Sequence, residues 1–386
     1  MDNQNIYIIG IVKGTSRTQN LIKFLLDQNR DIFYNSLETK IFFNKKGFKG
    51  ILRKILRGFE ETLKYIDKVY NILISDIVVL PAMCNNYQFD LYIAKILKKT
   101  IITDFYISFY DTWVLDRNEV DRFSKQAKKL LSYDVNCISN ADYVLFLNST
   151  ERKYYLDILN IPYNINKHLI VPLCIEESIK TPNSYYSKNF EERVFNICWW
   201  GGYIPLHGLE KIISACNILN KEYELNFHLY LFGSSDGKNK EYLDLISSLN
   251  LSSVISIDNT STFKNGKLGN FLQNNCDLVL GNFGDSEKAK KVLVNKLIDG
   301  VAMKSPVLTG ESVAPHEYFS ENEIFYTLNT PESMAAKMYF ISQLDAKEIQ
   351  NRVDKAYLIY LKEFSVNAYT NKMKEVLDRI NSEISN

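Results

Sequence analysis

Short runs of apolar, β-type residues alternate with helical patterns over nearly the whole chain, and that rhythm limits what it can fold into. In the first half the runs are Ile6–Val12, Ile77–Leu80, Thr100–Phe105, Tyr143–Leu147 and His168–Leu173. In the second half they are Val194–Trp199, Phe227–Phe232, Val254–Ile257, Asp277–Leu280, Pro306–Leu308 and Ile324–Thr327. Several are continuously apolar, the pattern of strands covered on both faces. Such strands belong to parallel sheets whose crossovers are helices, so the expected class is α/β with doubly wound sheets.

The chain has 386 residues, enough for two domains. A polar stretch with a Pro-Asn-Ser turn, Glu176–Glu192 ("EESIKTPNSYYSKNFEE"), reads as the linker. The expected division is 1–178, 190–365, and a C-terminal helix over 366–386 packing back on the N-terminal domain. Two Rossmann-like domains would then face a central cleft, with ligands at the carboxyl ends of the strands.

Charge and cysteine usage exclude some classes. The net charge is +1, so nothing global draws the chain to nucleic acid. Six cysteines lie far apart with no C-x-x-C pair, which argues against a zinc or redox site and suits a reducing cytoplasm. No apolar run approaches the ~20 residues a membrane span needs, and the N-terminus lacks the basic region of a signal peptide.

The loops after the strands carry the candidates. "GIVKGTSRTQNLIKFLL" places Gly10 and Gly14 at a strand end, with Thr15, Ser16 or Thr18 as helix caps. It reads as an ordinary turn or as a glycine loop lining the cleft. "TDFYISFYDTWVLDR" mixes rings and carboxylates, including Asp104 and Asp111. That mixture suits sugar hydroxyls, and it equally suits a surface loop over core aromatics. "NKKGFKGILRKILRGFEETLKY" carries Lys45, Lys46, Lys49, Arg53, Lys54 and Arg57 with no acid among them, beside a helical apolar stripe. Such a helix either lies on an anionic membrane surface or packs its stripe on its own domain.

In the second half, "NICWWGGYIPLHGLEKIISACNILN" reads as strand, glycine pair, loop and helix. Leu209, Ile212, Ile213, Cys216 and Leu219 form the helix's apolar stripe. Gly208 stands at its start, where free N–H groups can take an anion. From Trp199 to Leu209, however, there is no Lys or Arg, only His207. Cations come later, in "LGNFGDSEKAKKVLVNKLIDGVAMKSPVLTG": Lys288, Lys290, Lys291 and Lys296. Each is either a phosphate partner or a solvated surface lysine. Asp299 lies three residues past Lys296, on the same helix face, and is a candidate acceptor for ribose hydroxyls. "PVLTGESVAPHEYF" offers a further turn of backbone donors at Thr309–Ser312, with His316 or Glu317 to cap or orient it.

Taken in order, "WGGYIPLHGLEKIISA", "LYLFG", "LGNFGDSEKAKKVLVNKLIDGVAMKSPVLTG" and "APHEYF" resemble the donor half of the retaining family 4 glycosyltransferases, which have the GT-B fold. The match runs from about Val194 to Phe319, and a variant sub-group with "PLHG" and "FG-x(3)-KA" is similar. The first half resembles the family more loosely, through "TDFYISFYDT", "NADYVLFLNSTERKYY" and "KHLIVPLCIE". The resemblance implies transfer of a sugar, with retention, from a UDP- or GDP-sugar to a hydroxyl of a glycan or lipid-linked acceptor. It also implies a role in bacterial surface polysaccharide or glycoconjugate synthesis, in the cytoplasm or at the inner face of the plasma membrane. No metal is implied, in keeping with the absence of a D-x-D motif, and no cofactor beyond the nucleotide-sugar co-substrate.

The implied roles fall on particular residues. Gly201, Gly202 and Gly208 let the backbone approach the diphosphate. Lys290, Lys291 or Lys296 supplies charge, and His207 adds a hydrogen bond. Asp299 holds the ribose, while Asn282, Phe283 and Gly284 face the donor sugar. Asp104 or Asp111 orients the acceptor hydroxyl. Two departures stand out. The family often has Arg and Lys where this chain has Gly201 and His207, and the first Glu of its E-x7-E pair falls on Gly281. Those losses favour a rival reading, a GT-B-shaped binding or scaffold partner without catalysis; a third reading keeps catalysis as a nucleotide-sugar epimerase on the same fold.

Overall fold

The computed structural model describes residues 5–9, 15–28, 31–34, 62–81, 84, 87–176, 194–233 and 239–384. The basic segment Lys45–Arg57, Gly10, Gly14 and all of the expected linker after Glu176 lie outside the described residues. The chain divides into two compact units. The first comprises residues 1–112, 121–146 and 155–170, and the second comprises 113–120, 147–154 and 171–386.

The first unit is built on β1 (Ile6–Ile8), β2 (Ile32–Tyr34), β3 (Ile77–Leu80), β4 (Thr100–Asp104), β5 (Tyr143–Phe146) and β6 (His168–Ile170). They pair in parallel in the order β2-β1-β3-β4-β5-β6. Strand β2 follows a helix, α1 (Ser16–Asp27), whose first turn is closed by Thr15: its hydroxyl accepts from the Thr18 N–H at 3.4 Å. That helix buries Leu21, Phe24 and Leu25, its i, i+3, i+4 stripe. A helix over 62–74, α2, and α3 (Gln88–Ile96) are tied through Asp90, which takes Lys68 at 2.6 Å and the Tyr7 hydroxyl of β1 at 2.9 Å. α4 (Lys125–Ser139) is capped by Ser124, and α5 (Ser149–Ile158) belongs to the second unit up to Tyr154 and to the first from Tyr155.

The second unit carries β7 (Phe195–Trp200), β8 (Phe227–Phe232), β9 (Ile255–Asp258), β10 (Leu278–Leu280), β11 (Val307–Gly310) and β12 (Phe325–Thr327). All pair in parallel, in the order β12-β11-β10-β7-β8-β9. Winding starts at β7, runs outward to β9, then restarts on the other side at β10. The switch point therefore lies between β7 and β10, and in such sheets ligands bind beyond the carboxyl ends of those strands. α6 (Leu209–Glu222) lays Leu209, Ile212, Ile213, Cys216 and Leu219 on this sheet, packed with Met334, Met338 and Ile341 of α10 (Pro331–Ser342). Each such side chain contributes about 1.5–3 kcal/mol of burial. The remaining helices are α7 (Lys240–Ser248), α8 (Lys267–Asn275), α9 (Asn295–Ala302), α11 (Ala346–Glu363) and α12 (Val366–Ile384). Among the described residues no helix is long and apolar enough to cross a membrane.

Candidate functional site

At the switch point of the second sheet two loops close on each other. The chain leaves β7 through Gly201 (φ +148°), makes a 3-10 turn at Pro205–His207, and enters α6 through Gly208 in the left-handed region, φ +60°. A Cβ on Gly208 would stand 2.6 Å from the carbonyl oxygen of Phe283, so only glycine lets the loop after β7 touch the loop after β10. The Phe283 N–H donates to the His207 carbonyl at 3.2 Å and sews the two loops together. Asn282 fixes the second loop. Its N–H donates to the Thr309 hydroxyl (3.2 Å), its carbonyl accepts from the Gly310 N–H (2.9 Å), and its carboxamide N–H donates to the Ala289 carbonyl (2.9 Å). The Asn282 and Phe283 N–H groups are thus spent inside the loop pair, and the Phe283 ring lies wholly in the core.

The structure separates the candidate lysines. Lys290 and Lys291 lie in a turn over 287–291, and both pair with exposed Glu287 at 3.0 Å. Lys296 stands on α9 and is 4% exposed. Its Nζ lies over the Trp199 ring, 4.2 Å from the centroid, without a hydrogen-bond partner. Both Lys296 Nζ and His207 Nε2 are 3.3 Å from the point where a Cβ on Gly201 would stand. Gly201 therefore leaves open the space toward which a lysine from another element points. His207 is buried, with the Asn282 side chain beside it. A buried amine without a partner is rare, and one that shares its spot with a second basic nitrogen marks a place where a ligand completes the set.

The electrostatics follow from burial. It pushes the Lys296 amine well below the ordinary lysine range, against the opposing pull of Asp299. Burial and the nearby Lys296 lower His207 as well, while the Asn282 side chain opposes. The Asp299 carboxyl is pushed up to about 7, chiefly by burial, with the Trp200 hydrogen bond and Lys296 acting the other way. Trp200 Nε1 donates to Asp299 Oδ2 at 3.2 Å and so sets that carboxylate's direction. Trp199 and Trp200 are the site residues that sequence reasoning missed. Their signal was the "WW" immediately before the glycine pair, two large rings at a strand's carboxyl end.

Gly281 has a steric reason of its own. A Cβ there would stand 2.6 Å from the Thr309 hydroxyl, so the position has no room for a glutamate side chain.

In the first unit, Asp104 ends β4 fully buried, and both its oxygens accept from Arg17 Nε, at 2.8 and 2.9 Å. Burial raises its carboxyl and Arg17 holds it back. Asp111 opens a π-helical turn, Asp111–Asp116, and its N–H donates to the Ser108 hydroxyl. That hydroxyl and the N–H groups of Phe109 and Tyr110 all bind Asp134 of α4, at 2.6, 3.1 and 2.8 Å. Burial lifts the Asp134 carboxyl to about 6. The structure thus gathers Gly201, His207, Lys296 and Asp299 in the second unit, while Asp104 and Asp111 belong to the first.

No family model matches the chain, and no curated protein matches it. Solved structures do. A glycosyltransferase from Rickettsia africae aligns with a TM-score of 0.65 at 16% identity, covering 97% of this chain and 98% of that one. The Anabaena protein HepE in complex with UDP-glucose aligns at 0.66 and 15%, covering 97% and 99%. The sucrose-phosphate synthase of Thermosynechococcus elongatus aligns at 0.68 and 13%, covering 98% and 100%. The fold is GT-B: α/β, with two parallel six-stranded sheets, as the resemblance implied.

Proposed function

We propose that this chain is a glycosyltransferase that moves a sugar from a UDP- or GDP-sugar to a hydroxyl of a glycan or lipid-linked acceptor, with retention. One observation carries the reading. Lys296 Nζ, buried and without a partner, shares its facing spot with His207 at the switch point of the second sheet. A diphosphate supplies the acceptors and the negative charge that these donors lack. The UDP-glucose complex of the similarly folded Anabaena protein supports the choice of ligand class.

Lys296 and His207 would hold the diphosphate. Gly201, Gly202 and the start of α6 would bring backbone to it, and Asp299, aimed by Trp200, would take the ribose hydroxyls. As the bond from the anomeric carbon to the diphosphate breaks, its electron pair goes to the leaving oxygen. The acceptor oxygen bonds the same face, and its proton passes to the departing diphosphate. The protein's work is to hold charge and to orient, so no general base is assigned. Asp111 remains the candidate for orienting the acceptor, and Asp104 acts through Arg17. A place in bacterial surface glycoconjugate synthesis, on the cytoplasmic face of a membrane, fits the basic segment Lys45–Arg57.

A scaffold reading draws support from Gly281, where no carboxylate fits. A thermal-shift screen with UDP- and GDP-sugars, followed by an assay of nucleoside diphosphate release with acceptor, separates the two. The transferase reading expects release that Lys296→Ala and Asp299→Ala each cut by about 100-fold or more. Binding without turnover would favour the scaffold, and full activity in both variants would sink the site assignment.

A further inference from the structure

Two basic nitrogens face one spot beside Gly201: Lys296 Nζ and His207 Nε2, each 3.3 Å from it. The elements around them bring little charge. α9 contributes Asp299, whose carboxylate is turned toward Trp200 Nε1. β7 contributes Trp199 and Trp200, neither of which titrates, and the loop after β10 contributes the Asn282 side chain beside His207. No ion pair to Lys296 forms among the described residues. Burying an ammonium without a contacting anion costs more than the face of the Trp199 ring, 4.2 Å away, returns. Burial therefore weakens the amine's hold on its proton.

We propose that a nucleoside diphosphate binds here together with a proton, taken up from solvent by Lys296, so that affinity for the nucleotide falls as the solution becomes more alkaline. This rests on the nucleotide-sugar reading and adds a regulation to it. The arriving diphosphate supplies the counter-charge that the ammonium lacks, which turns the unfavourable protonation into a favourable one. The direction of the Lys296 shift agrees with this, its amine being lowered well below the usual range by burial. Asp299 is not the source of the proton at pH 8: with its carboxyl at about 7 it is already ionised. Nor is the nucleotide, because its terminal phosphate ionises near pH 6.

The test is calorimetry of UDP and of GDP binding to the full chain at pH 8, in HEPES and in Tris, whose ionisation enthalpies differ. The expected result is an apparent enthalpy that changes with buffer by an amount equal to uptake of about one proton per nucleotide, and a Kd that rises about tenfold between pH 8 and pH 9. His207→Gln and Asp299→Asn should each keep that uptake, and its loss in either would move the proton to that residue and overturn the assignment. Binding with equal enthalpy in both buffers and a flat Kd would overturn the inference while leaving the nucleotide reading in place. If neither UDP nor GDP binds at millimolar concentration, the nucleotide reading falls and this inference falls with it.

Discussion

An amine buried without an acceptor costs about 1–3 kcal/mol even when neutral, and Lys296 is such an amine. Its unit would be more stable without it. Lys296→Met keeps the unbranched stem against Trp199 and removes the nitrogen, so the variant should unfold at a higher temperature than the wild type. Each kcal/mol is worth about 2–4 °C in a unit of this size. The pH dependence has a definite sign. The folded amine is lowered below the value of about 10.4 that it has in the unfolded chain. Between those two values the unfolded chain binds more protons, and wild-type stability rises with pH. The advantage of Lys296→Met should therefore be largest near pH 7 and shrink by up to about 1.4 kcal/mol per unit toward pH 10. Asp299 works in the opposite direction lower down: its raised carboxyl contributes stability that is lost as pH rises through about 7. Thermal melts of both proteins from pH 7 to 10 check this, and a variant no more stable than wild type at pH 7 would contradict the account.

At the scale of elements, the loop after β7 and the loop after β10 act as one piece because Gly208 lets them touch. Gly208→Ala combines a left-handed φ of +60° with a Cβ against the Phe283 carbonyl, and should cost about 1–3 kcal/mol. Gly202→Ala is the contrast. A Cβ there meets only the Ile204 Cγ2, at 3.9 Å, which is ordinary contact, and stability should stay within about 0.5 kcal/mol. Denaturant unfolding of the two variants tests the pair, and equal losses would mean that the loop contact carries no energy. The same elements show what sequence can reveal. Eleven strands announced themselves as apolar runs, most of them in strands buried on both faces. β2 did not: it is a three-residue edge strand, and Ile32 and Phe33 are only half-buried. The lysines of the loop after β10 were visible, but not which one mattered. Residues 287–291 form a turn and α9 begins only at Asn295, so helical spacing could not rank Lys290, Lys291 and Lys296. The pairing of Asp104 with Arg17 spans 87 residues of chain, a separation that no local pattern encodes.

At the scale of the whole molecule, the two sheets are wound differently. The first runs β2-β1-β3-β4-β5-β6 and the second β12-β11-β10-β7-β8-β9, so each has its own switch point. The spot that Lys296 and His207 face belongs to the second unit alone. What remains for the chain as a whole is where it works. The segment Lys45–Arg57 carries six cations and no acid, whereas the full chain has a net charge of only +1. Bulk charge therefore gives no general attraction to anionic surfaces, and any such attraction must be local, with this segment the most basic stretch of the chain. A basic residue close to an anionic bilayer contributes about 1 kcal/mol, falling off within a Debye length of about 10 Å at 0.1 M salt. The chain should therefore co-sediment with phosphatidylserine-containing vesicles at 0.1 M salt, release at 0.5 M, and ignore purely zwitterionic vesicles. Replacing Lys45, Lys46 and Lys49 with Glu removes three cations and adds three anions, which should abolish sedimentation while leaving UDP binding unchanged. Equal sedimentation with anionic and zwitterionic vesicles would show that the six cations play no part in membrane attachment.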